Sequence, residues 1–191
     1  ETSPVVSVGL YKDRMYKVGT VGKPIDNVEV KIAEDGELLI KGPNVMKGYL
    51  NQPEATQEAL RNGWFHTGDI GKMDEDGYFR IVDRKKDMII TGGENVYPSE
   101  VEEVVGNIEG VFDCAVIGLP DEKWGERVSA VIIRKEGFDD SNLSEQDIIQ
   151  ACKGKMAGYK CPKQVMFIGE NDMPRTGTGK ILHRVLREEF G

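Results

Sequence analysis

Apolar residues recur at two different spacings along the chain, and the spacing changes near residue 83. Ahead of that point the runs are short. Val28, Val30 and Ile32 alternate with Glu29 and Lys31, Glu34-Asp35-Gly36 follows, and Glu37-Leu38-Leu39-Ile40-Lys41 returns, a pattern that predicts a hairpin. Asn51 ahead of Pro53 predicts a capped short helix to about Leu60, ended by Asn62-Gly63. Then come the aromatic pair Trp64-Phe65, a glycine-flanked loop Thr67-Gly68-Asp69, the polar turn Asp74-Glu75-Asp76-Gly77 and a strand Tyr78–Val82. Residues 1–82 are therefore expected to form a mostly-β small barrel or sandwich.

Beyond the change the pattern is mixed. Ser99 with Glu102 predicts a capping box, and Val101, Val104, Val105 and Ile108 share one face of the helix that follows. Apolar strands are expected at Val111–Gly118 and Arg127–Arg134, joined by a loop over 119–125. Ser144 predicts the start of a helix that turns Ile148, Ile149, Cys152 and Met156 inward. A strand is expected at Gln164–Ile168, and a last helix from about Gly179 that buries Ile181, Leu182, Val185 and Leu186. A compact α+β domain, a small sheet with packed helices, is expected over 88–191.

Between the two patterns stand five consecutive charged residues, Asp83-Arg84-Lys85-Lys86-Asp87. Unpaired, they cannot enter a core, so this piece runs along a surface. Met88-Ile89-Ile90, Gly92-Gly93 and Tyr97-Pro98 come next, and a charged connector leading into a strand, a glycine turn and a helix start predicts a domain boundary. The expected organisation is a hinge at 83–87 followed by a movable hairpin, whose glycines allow positive φ or close approach to something bulky.

A length of 191 residues, 39% hydrophobic and 30% charged, suits one ordinary domain or two small ones of a globular protein. The formal net charge of −8 argues against a general nucleic-acid binder. From Lys153 to Arg187, however, eight Lys and Arg face only Glu170 and Asp172, so the C-terminal quarter suits anions such as phosphates. Cys114, Cys152 and Cys161 form no Cys-x-x-Cys pair, which implies neither disulfides nor zinc and predicts a reducing, cytoplasmic setting. No apolar run is long enough to span a membrane. The opening Glu1-Thr2-Ser3, without an initiator Met, predicts a piece cut from a longer protein.

Few residues suggest chemistry alone. The Asp69 carboxylate can accept two hydrogen bonds side by side, as the adjacent hydroxyls of a ribose offer, although Asp in a glycine-rich turn is also a common turn former. Pro174-Arg175-Thr176-Gly177-Thr178-Gly179-Lys180-Ile181 misses the Walker spacing, because Pro174 and Ile181 stand where Gly and Ser or Thr are needed. What remains is Lys180, a point charge on a loop ahead of a helix. Asp74–Gly77 lacks the later glutamate of a calcium loop and reads as a turn. His66 and His183 have no metal spacing and read as structural. Tyr159-Lys160-Cys161-Pro162-Lys163 offers an aromatic face with two ammonium groups, fit for an adenine nucleotide or for a plain surface loop.

Four blocks in this order resemble the C-terminal portion of the adenylate-forming acyl-CoA synthetases, relatives of peptide-synthetase adenylation domains and luciferases. They are Gly63–Asp69, Gly77–Asp87, Gly92–Glu102 and Pro174–Lys180. The resemblance covers essentially the whole chain and implies roles for particular residues. Asp69 would bind the ribose of ATP and of the acyl-adenylate, with Arg84 assisting. Lys86 would be the hinge, a position held by Asp or Lys in the family. Lys180 would bridge the carboxylate substrate and the α-phosphate. Gly93, with Gly92 beside it, would line the tunnel for coenzyme A, and Trp124, Tyr159, Lys160 and Lys163 match positions that contact that cofactor. Glu1 stands where the family's Tyr-Gly-x-Thr-Glu block ends and would help hold Mg²⁺.

The resemblance further implies a ligase that turns a carboxylic acid, with a fatty acid foremost, into its CoA thioester. Two alternatives stay open: an adenylation module loading a phosphopantetheine carrier, and a non-catalytic binding piece. The family's glycine-rich phosphate loop and its acyl pocket are absent here. They would belong to a missing N-terminal domain of the same protein, and the isolated chain is expected to bind nucleotide weakly and to complete neither step.

Overall fold

A computed structural model of the chain describes residues 1–9 and 16–191. It divides into two compact units, Glu1–Lys86 and Asp87–Gly191. In the first, Ser7–Val8 (β1) pairs with Lys23–Pro24 (β2) as a ribbon. Glu29–Ile32 (β3) and Glu37–Lys41 (β4) form the predicted hairpin. Pro53–Ala59 (α1), Leu60–Arg61 (β5), Trp64–Met73 (β6) and Phe79–Arg84 (β7) complete the unit. β4 takes one edge of β6, and β5 and β7 share the other. The sheets stay open, as in a sandwich, and do not close into a barrel among the described residues. Val28, Leu38, Ile40, Phe65 and Phe79 form the core.

Three local expectations here are corrected. Asn51 does not cap α1; it sits at φ 56, and Gln52 occupies the cap without a side-chain bond. Asn62-Gly63 does not end the helix. With φ of 53 and 77 it makes the two-residue turn of the β5–β6 hairpin, where both positions need a left-handed backbone. The supposed loop at Thr67–Asp69 lies within β6. The strand bulges there, setting Thr67, Gly68 and Asp69 opposite Leu38, because Gly68 adopts φ 71 and the Thr67 hydroxyl donates to the Leu38 carbonyl at 2.7 Å.

The second unit is built on one long hairpin. Ile89–Thr91 (β8) and Glu94–Val96 (β9) lead into Pro98–Gly106 (α2), then Val111–Asp121 (β10) and Gly125–Arg134 (β11). Glu145–Cys152 (α3), Gln164–Phe167 (β12) and His183–Phe190 (α4) follow. β11 pairs antiparallel with β10 and with β8, and parallel with β12. Period-two alternation sends Val116, Val128, Ala130 and Ile132 to one face, against Val101 and Val105 of α2 and Ile148 of α3. Ala115, Ile117, Leu119, Val131 and Ile133 go to the other, against Leu186 of α4. Two covered faces explain the near-continuous apolar runs. Each fully buried aliphatic side chain contributes roughly 1.5–3 kcal/mol.

Two further expectations shift. α2 starts at Pro98 behind Tyr97 with no side-chain cap, so the Ser99–Glu102 capping box does not form. Glu102 is drawn elsewhere: its Oε1 accepts from the Val116 amide and meets His183 Nε2, both at 2.8 Å. The final helix begins at His183, not Gly179, because residues 174–182 fold back on themselves through the Arg175–Ile181 bridge. Ser144 does cap α3, in a reciprocal pairing with Asp147.

Candidate functional site

The bulge in β6 determines where Asp69 points. β7 runs beside it with Asp69 opposite Arg84, and the guanidinium Nη1 lies 3.1 Å from Asp69 Oδ1. The Asp69 side chain is 26% exposed, so one carboxylate is half-sheltered while remaining within reach of a ligand. Burial holds its carboxyl above the usual carboxylate range. Arg84 opposes that shift, and Glu1 and Glu37 add to it. A sheltered carboxylate competes well for hydroxyl donors, since water is partly excluded.

Beside this pair is a hollow of about 420 Å³ whose lining includes Tyr49, His66, Gly68, Arg84 and Lys86. Buried Glu37 anchors its floor. Its Oε1 accepts from the Gly68 amide at 3.0 Å, and its Oε2 lies 3.0 Å from both Lys85 Nζ and His66 Nδ1. Arg61 Nη2 lies 3.2 Å from the same His66 nitrogen, so Nδ1 stands between an acceptor carboxylate and a donor guanidinium. Burial pushes the Glu37 carboxyl up, and His66, Lys85 and Gly68 together outweigh it, leaving the group below its ordinary value. Glu37 gave no sign in the sequence: an acid at the start of the returning strand reads as an ordinary solvated strand end. Its role needs the bulge and the β7 exit, both distant along the chain.

Lys85 also meets Asp35 at 2.7 Å, and the 3-10 turn Lys85–Asp87 spans the division between the units. Lys86 is the last residue of the first unit. Asp83 and Arg84, expected in the connector, finish β7. Glu1 accepts a short hydrogen bond from the Tyr49 hydroxyl.

In the second unit the candidates fall at loops. Gly92 and Gly93, φ 60 and 85, are the two-residue turn between β8 and β9. They differ sharply. Gly92 donates its amide to the Trp124 carbonyl at 2.8 Å, and a Cβ on it would lie 2.8 Å from the indole, whereas a Cβ on Gly93 would meet nothing within 4 Å. Gly93 is thus the open member of the pair. Trp124 is 47% exposed, with the Lys123 ammonium 4.6 Å from its ring. Tyr159 is exposed, but Lys160 is held by Glu100 at 2.6 Å and Lys163 Nζ donates to the Gly158 carbonyl at 2.8 Å.

Lys180 is exposed in the 174–182 loop. The Lys180 amide donates to Thr176 Oγ1 at 3.1 Å, its carbonyl accepts from the Thr176 amide at 2.8 Å, and Arg175 reaches the Gly179 carbonyl at 3.0 Å while pairing with Asp113. The loop is therefore ordered by its own bonds and presents an ammonium. His66 and His183 are both hydrogen-bonded to carboxylates, and all three cysteines are free and buried. A larger hollow of about 630 Å³ near Phe112, Phe138 and Phe167 contains none of the candidate residues. No helix among the described residues is long and apolar enough to cross a membrane.

The AMP-binding enzyme C-terminal domain family matches residues 100–180, and the AMP-binding enzyme family matches residues 1–50. A long-chain-fatty-acid–CoA ligase of Escherichia coli O6:H1 is 44% identical over 99% of this chain and 34% of its own length. A feruloyl-CoA synthase of Amycolatopsis sp. is 46% identical over 92% of this chain and 37% of its own. Among solved structures, ATP-bound MatB from Rhodopseudomonas palustris superposes with a TM-score of 0.81 at 39% identity, over 90% of this chain and 36% of that one. The chain thus spans about a third of the length of the curated relatives it matches.

Proposed function

The chain belongs to the AMP-binding enzyme family and carries its C-terminal domain, and from that premise we propose that it is the C-terminal part of an ATP-dependent acid–CoA ligase. The observation that carries this reading is the Asp69–Arg84 pair, a half-sheltered carboxylate beside a guanidinium at the edge of a hollow. That arrangement can accept the two hydroxyls of a ribose while offering a positive charge nearby.

In the first step an oxygen of the carboxylate substrate attacks the α-phosphorus of ATP, and pyrophosphate leaves. Negative charge crowds at that centre, and the exposed Lys180 ammonium offsets it. In the second, the thiol of coenzyme A attacks the acyl carbon, AMP leaves, and the thiol proton goes to solvent. A lysine has no task there, whereas an open backbone edge does, and Gly93 supplies one. Turning of 88–191 about Lys86 would exchange Lys180 for the Gly92-Gly93 turn, so that Trp124, Tyr159, Lys160 and Lys163 serve coenzyme A.

Mg²⁺ usually keeps several waters and takes one or two carboxylates plus substrate phosphates. No group of three or more His, Cys, Asp or Glu that could hold a metal gathers among the described residues, so an ion here would take at most the Glu1 carboxylate, which already accepts from Tyr49. Bound there, the ion would neutralise phosphate charge. A fatty acid is the first substrate class to test, on the strength of the fatty-acid ligase among the relatives, with aryl acids second after the feruloyl relative.

The test places Lys180→Ala in the longer protein and measures acid-dependent pyrophosphate release over a panel of fatty and aryl acids. Release is expected to fall about 10²–10³-fold, the size of one lost oxyanion contact. Full-rate release would remove Lys180 from the chemistry.

A further inference from the structure

Buried carboxylates are rare because the charge must be fully paired to be tolerated, and Glu37 is 4% exposed. Its partners come from three places in the chain. His66 lies in β6 just ahead of the bulge, Gly68 is the bulge itself, and Lys85 stands where the chain has left β7. Asp69 follows Gly68 directly and Arg84 precedes Lys85 directly, so two of the three residues that Glu37 grips adjoin the two residues that pair.

We propose that Glu37 is the positioning residue of the candidate nucleotide site, its one carboxylate fixing both the bulge that presents Asp69 and the turn that leads from Arg84 to Lys86. Without it, the Gly68 amide loses its acceptor, and a bulge at positive φ can relax toward ordinary strand, rotating Asp69 away from Arg84. Lys85 would keep only Asp35, an exposed partner that holds a side chain weakly. The inference rests on reading Asp69 and Arg84 as the ribose contact.

Glu37→Gln is the informative change. The amide oxygen can still accept from Gly68, but its NH₂ then opposes the Lys85 ammonium. In the longer protein, calorimetric Kd for a non-hydrolysable ATP analogue and the KM for ATP are expected to rise about tenfold together, the effect of one lost charge-assisted contact. The KM for the acid should stay within about twofold, since a specific positioning role spares the other substrate. Lys85→Met, at a partly exposed side chain, gives a second route if Glu37→Gln does not fold, and about a threefold rise in Kd is expected. Asp69→Ala separates the two readings. If Asp69→Ala weakens nucleotide binding while Glu37→Gln, or Lys85→Met in its place, leaves it unchanged, the positioning role is overturned alone. If Asp69→Ala itself changes nothing, the ribose reading and this inference fall together. A parallel rise for acid and nucleotide would mark Glu37 as merely structural and overturn the proposal.

Discussion

Two adjacent glycines illustrate how much one residue's surroundings decide. Gly92 and Gly93 both adopt positive φ, where an added Cβ costs roughly 1–2 kcal/mol. Only at Gly92 would that Cβ also meet the Trp124 ring, at 2.8 Å. In denaturant unfolding, Gly93→Ala should therefore lose about 1–2 kcal/mol and Gly92→Ala about 1–3 kcal/mol more, from overpacking. Equal losses would mean that Trp124 does not hold the turn. The sequence marked both glycines as special but could not tell them apart, because Trp124 reaches Gly92 alone, through the pairing of Thr91 with Gly125. The same holds for Asp69: its type and its glycine neighbour were visible, whereas the bulge that aims it depends on Leu38 and Glu37, far upstream.

Elements were legible where one physical cause sufficed. The β3–β4 hairpin followed from alternation and a glycine turn, and α3 from its Ser144 cap. Legibility failed where tertiary partners competed with local ones. Glu102 was expected to cap α2 but bonds Val116 and His183, joining α2, β10 and the first turn of α4. That contact carries a pH signature. Glu102 raises the His183 pKa above the ordinary 6.5 against burial, with Asp87 assisting and Arg187 opposing. A raised folded value means that the stabilisation is complete below the unfolded value and is lost as pH rises through the folded one. Unfolding stability, taken as wild type minus His183→Gln, should be positive and flat in mildly acidic solution and fall as pH climbs past 6.5. A difference that grew with pH instead would mean that the imidazole is held neutral.

At the scale of the whole chain, the core clusters keep to their own units: one belongs to Glu1–Lys86 and two to Asp87–Gly191. The run of charge at 83–87 straddles the point of division, and such a run enters a core only where every charge finds a partner. The chain spans about a third of its relatives' length, so the substrate class proposed for the longer protein rests on those relatives. The central claim is that one mobile unit serves two steps with two different parts, and comparing the half-reactions of two variants of the longer protein tests it most directly. Lys180→Ala should slow adenylation, read as pyrophosphate release, by about 10²-fold or more while sparing thioester formation from supplied acyl-adenylate. Gly93→Leu should do the reverse, slowing thioester formation more than adenylation. Both variants depressing both steps to the same degree would contradict the account.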